Sequence, residues 1–75
     1  MSFQAYLDTI QGKTGLDADG LKREADAVGL STDGALKDGV KAGQVVAWAK
    51  DRLGLGHGHA MAIYALLSGK RKPGD

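Results

Sequence analysis

The chain has no cysteine, so neither a disulfide nor a thiolate metal site can add to its stability. That fits a reducing compartment. It also has no apolar run near the roughly 20 residues that span a bilayer, and Met1-Ser2-Phe3-Gln4 offers neither a charged n-region nor an apolar h-region. A soluble, cytoplasmic domain with no membrane partner is expected. Aromatic residues are scarce, at 5%. Trp48 and Tyr64 stand at helical spacing beside other apolar residues and read as core rather than as binding surface. No serine stands near a histidine in a nucleophilic arrangement, and the carboxylates have surface-type spacings. Asp51 with His57 defines no reaction by itself. No enzyme activity and no cofactor are expected.

What is present is one small domain. At 75 residues, the chain buries only about 60% of its unfolded surface. The net charge is +1 but unevenly spread: residues 1–38 hold four basic and seven acidic side chains, residues 39–75 six basic and two acidic. The six in the second half are Lys41, Lys50, Arg52 and the terminal Lys70-Arg71-Lys72, so half of them lie in the tail. Residues 1–69 are expected to form a single helical domain and residues 70–75 a basic flexible tail.

Apolar periodicity predicts an all-α fold of four main helices and one short helical turn, arranged as two helical hairpins packed roughly at right angles. Phe3, Tyr6, Leu7 and Ile10 recur at i, i+3, i+4, i+7 behind a Ser2 cap, with an exit at Gly15. Asp17 caps a second helix with Leu21, Ala25 and Val28 inward and a stop at Gly29. Glycines 34 and 39 argue against a long helix in residues 31–41, leaving one turn through Ala35 to Lys37 capped by Ser31 or Thr32. A third helix is expected from about Ala42 to Leu53, with Val45, Val46, Ala49 and Leu53 inward. A fourth starts near Gly58, turns Ala60, Ile63, Tyr64 and Leu67 inward and stops at Gly69. No stretch alternates convincingly with period two, so no sheet is expected.

The segment richest in functional meaning is Gly54-Leu55-Gly56-His57-Gly58-His59-Ala60. It fits the helix-hairpin-helix pattern of glycine, apolar, glycine, three variable residues and alanine. The glycines allow a sharp turn, Leu55 plugs the space between helices, and Ala60 lets them cross closely. The N–H groups near Gly56 to Gly58 then face solvent, where a phosphate can dock. The same geometry also serves simply to join two packed helices. His57 and His59 are separated by one residue rather than the i, i+4 of helical metal ligands, so no metal site is expected. Gly12-Lys13-Thr14 lacks the preceding strand and upstream glycine of a P-loop and reads as a helix stop.

Phe3-Gln4-Ala5-Tyr6-Leu7, Lys13-Thr14-Gly15, Val45-Val46-Ala47-Trp48 and the glycine-histidine signature together resemble a bacterial domain-of-unknown-function family of small proteins, over residues 2–68. That resemblance implies no established activity. The architecture is similar to the sterile-alpha-motif-like group, which includes helix-hairpin-helix nucleic-acid binders and protein-interaction domains. The expected function is weak, salt-sensitive and sequence-independent binding to nucleic-acid phosphates by Gly54, Gly56, His57, Gly58 and His59, helped by Lys50, Arg52, Lys70, Arg71 and Lys72. The alternative is a protein-interaction or self-association domain without nucleic-acid binding.

Overall fold

The computed structural model describes residues 2–75. Among them, four helices enclose one core: α1 (Phe3–Thr14), α2 (Ala18–Ala27), α3 (Ala42–Leu53) and α4 (His57–Ser68). A tiny antiparallel hairpin, β1 (Ser31–Thr32) and β2 (Ala35–Leu36), lies between α2 and α3. The Cα radius of gyration is 10.8 Å, close to the roughly 11 Å expected of a compact chain this long.

The helix ends follow local chemistry. The Ser2 hydroxyl accepts from the Ala5 N–H at 3.2 Å and opens α1; Gly15, at φ 75°, closes it in the left-handed conformation. Thr14 secures the exit, its hydroxyl donating to the Ile10 carbonyl and accepting from the Leu16 N–H. The Asp17 carboxylate opens α2 by accepting from the Gly20 N–H at 2.8 Å. At α3, the Gln44 side chain accepts from the Lys41 N–H at 2.8 Å.

The central element is α4. Its buried residues are Ala60, Ala62, Ile63, Leu66 and Leu67, which at 100° per residue cover an arc of about 160°, wider than a one-sided surface helix needs. Accordingly α4 packs on α1, α2, α3 and β2, most extensively on α3. Ala49 and Ala60, both with no exposed surface, present only a methyl group on each of these two helices. Leu55, in their connection, is 3% exposed and joins the core cluster, as an inward apolar residue of the motif should. From the other helices, Phe3, Leu7, Ile10, Leu21, Ala25 and Val45 complete the core. Both α1 and α2 pack more closely on α4 than on each other.

Two local expectations are corrected. Where a short helical turn and no strand was expected, the chain makes the β-hairpin, with Thr32 opposite Ala35 and Ser31 opposite Leu36. The two residues between the strands, Asp33 (φ 51°) and Gly34 (φ 79°), both have positive φ, as a type I′ turn requires. Ser31 therefore caps nothing. Its buried hydroxyl donates instead to the Asp26 carboxylate, which also accepts from the Gly34 N–H at 3.1 and 3.2 Å. The Ser31 hydroxyl, then the Gly34 N–H, and to a smaller extent the charge of Lys37, hold the Asp26 carboxyl below the ordinary carboxylate value. Val28, expected to face inward, is 51% exposed. It lies one residue past α2, at the helix cap, where the inward periodicity has ended.

Candidate functional site

The α3–α4 connection is built from two glycines with different duties. Gly54 ends α3 at φ 66° and ψ 26°, a left-handed conformation that a side chain would strain. Its N–H, like that of Leu55, turns back to the Ala49 carbonyl. Gly56 opens α4 at φ −74° and ψ 172°, an extended geometry open to any residue. A Cβ at Gly56 or at Gly58 would meet nothing within 4 Å. Only the first of the three glycines is thus required by the turn; the other two leave bare backbone at the surface.

That bare backbone carries unspent donors. The Gly56 carbonyl accepts the first helical bond, from Ala60 at 2.9 Å. The N–H groups of His57, Gly58 and His59 have no acceptor among the described residues. Side chains cap α1 and α2, but glycine cannot cap α4, and its first turn holds no acidic residue. The positive end of the α4 dipole therefore faces solvent beside three free donors, an arrangement that favours an anion.

The histidines divide. His57 is exposed, whereas His59 is half-buried with its ring edge-on to Tyr6, the centroids 5.4 Å apart at an interplanar angle of 76°. Among the described residues, no three histidine or carboxylate side chains gather as a metal site would require.

The ten expected site residues do not form one patch. Gly54, Gly56, His57, Gly58 and His59 make up the turn. Lys50 and Arg52 are exposed on the last turn of α3 leading into it. Arg52 also lines a groove of about 290 Å³ with Glu24, Val28, Trp48 and Leu53. The tail cations follow the opposite end of α4, which rises about 18 Å over its length. Lys70 holds its Nζ 5.7 Å from the centre of the Tyr64 ring. Arg71, with Asp75, lines a groove of about 330 Å³ between α1 and α4 that also includes Tyr6, Gly58 and Met61. Residues 70–75 are tied back by backbone bonds from Lys70 and Arg71 to the Ala65 carbonyl and from Gly74 to the Gln4 side chain.

A family model covers residues 2–69, from the first cap through the end of α4, the glycine turn included. The chain belongs to the DUF4287 family. That family is a domain of unknown function. No curated protein and no solved structure matches the chain. The matched span of this DUF4287 domain holds the turn, Lys50 and Arg52, and ends just before Lys70. No helix among the described residues is long and apolar enough to cross a membrane.

Proposed function

We propose that this DUF4287 domain is a non-enzymatic module that binds nucleic acid through its phosphate backbone, with the start of α4 as the docking point. The observation that carries this reading is the set of three unpartnered N–H groups at His57, Gly58 and His59, bared by glycines that the fold does not require. A phosphate there accepts backbone hydrogen bonds and meets the helix dipole, while Lys50 and Arg52 supply charge from α3. Such contacts carry no base information, so binding is sequence-independent. With few phosphates neutralised, it is weak and falls as salt rises. The glycine-apolar-glycine turn, with Leu55 buried in it, supports the likeness to helix-hairpin-helix modules.

The test is an amide titration of the labelled protein with a short DNA duplex at low and at high salt. Salt-sensitive shifts on Gly54 to His59 support the reading; a titration without shifts at low salt ends it.

A second reading, self-association, is supported by the groove in which exposed Val28 adjoins Trp48 and Leu53 between Glu24 and Arg52. A two-fold pairing of this groove would bring charges of both signs, Glu24 and Arg52, into the interface from each copy. Sedimentation across concentration tests it, and a strict monomer at high concentration refutes it.

A further inference from the structure

A second groove lies at the far end of α4, with a volume of about 540 Å³, within the range of small-molecule sites. Three cations line it: Lys22 from α2, and Arg71 and Lys72 from the chain after α4. Among the described residues, no carboxylate lines it. Leu66, Leu67 and Pro73 also line it.

The position of Lys22 is set by the hairpin. At Gly34 the chain has a φ of 79°, and a Cβ there would fall 2.8 Å from the Lys22 Cδ. The missing side chain is the space through which the lysine stem passes. Gly34 is itself anchored by its N–H to Asp26. Asp26 follows Lys22 by one helical turn, but its carboxylate is occupied by Ser31 and Gly34. The carboxylate of Asp75 accepts from the Lys72 N–H at 2.9 Å and lines the neighbouring groove rather than this one.

We propose that this groove binds a polyphosphate group. Three cationic side chains lining one groove suit a ligand with several adjacent negative charges, and the Arg71 guanidinium offers the forked donors that phosphate oxygens accept. Phosphates of this kind come either from a small free polyphosphate or from consecutive positions of a nucleic-acid strand. None of Gly54 to His59 lines this groove, and Lys22 lies outside the residues assigned to that turn, whereas Arg71 also lines the groove that includes Gly58.

The experiment titrates the full labelled chain at low salt with sodium tripolyphosphate and, separately, with a short DNA duplex. Saturable shifts on Lys22, Gly34, Gly69, Arg71 and Lys72 are expected with tripolyphosphate. Arg71→Gln and Lys72→Gln, both at exposed positions, should each weaken that binding by about twofold to fivefold. Gly56→Asp should leave it unchanged, which separates this site from the α4 turn. The same residues shifting with the duplex identifies a strand backbone as the source. Shifts with tripolyphosphate alone identify a free polyphosphate. The absence of saturable shifts in this groove with both probes overturns the proposal. So does a folded Lys22→Gln/Arg71→Gln/Lys72→Gln triple variant that binds tripolyphosphate like the parent.

Discussion

Replacing Gly56 by aspartate should strengthen the fold and abolish phosphate docking at the same time. The position has an extended backbone, and a Cβ there meets nothing within 4 Å, so the substitution carries no steric cost. An aspartate at the first cap position can accept from the N–H of Gly58 or His59, as Asp17 accepts from Gly20 at the start of α2. Three contributions favour the variant. Aspartate exceeds glycine as a cap by a few tenths of a kcal/mol, its charge gains about 0.3–1 kcal/mol from the dipole, and loss of a glycine restricts the unfolded chain. Together these amount to about 1 kcal/mol, or about 4–8 °C in melting temperature for a domain of this size. Thermal unfolding by circular dichroism measures the first effect. The second is read from the duplex titration, because the new carboxylate occupies the donors and repels phosphate. A variant that melts lower than the parent would show that the three N–H groups are not available for capping. A stabilised variant that binds duplex as the parent does would remove the α4 turn from the function.

Four further outcomes follow from the same structure. Gly54→Ala should destabilise by about 1–2 kcal/mol because φ is 66° there, whereas Gly58→Ala, inside the helix with open space around it, should stabilise by up to about 1 kcal/mol; paired denaturant titrations compare them. Ile63→Ala, at a side chain with no exposed surface, should cost about 2–5 kcal/mol, much of the total stability of a domain this small, as a shift in urea midpoint. Asp26 has a folded pKa below the ordinary 3.8, so its contribution is fully present above that value and disappears as pH falls through the lower folded value. Unfolding of the parent and Asp26→Asn from pH 6 downward should show a stability gap that narrows below about pH 4. Gly34→Ala should destabilise the hairpin and displace Lys22, seen as shifts along α2 in an amide spectrum.

The sequence makes the helices legible because their signals are local. Ser2, Asp17, Gly15, Gly54 and Gly69 mark ends through capping or positive φ, and α3 runs over the expected Ala42–Leu53. The hairpin is harder to read. Strands of two residues cannot display an alternation, and Gly34, weighed as a helix breaker, is half of the Asp33-Gly34 pair that favours a type I′ turn. Asp26 reads as one more charge on a solvated helix face; its anchoring role depends on partners five and eight residues ahead, which only the folded chain brings within reach. At the α4 turn the motif and the open amides agree, but the sequence does not distinguish Gly54, which the backbone needs, from Gly56 and Gly58, which it does not. Lys22 escapes notice for the reason Asp26 does: its neighbours in the basic groove, Gly34 and Arg71, are remote in sequence.

The place of α4 in the chain also bears on how the domain is made. The helix on which the other three pack is the last of the four to be synthesised. Until residues 57–68 emerge, α1, α2 and α3 lack the surface that buries Ile10, Leu21 and Val45. At about 5–20 residues per second, that final helix takes about a second to make, and the core waits for it. A chain ending at residue 56 should therefore remain protease-sensitive, and addition of the twelve residues of α4 should convert the domain to its protected form in one step.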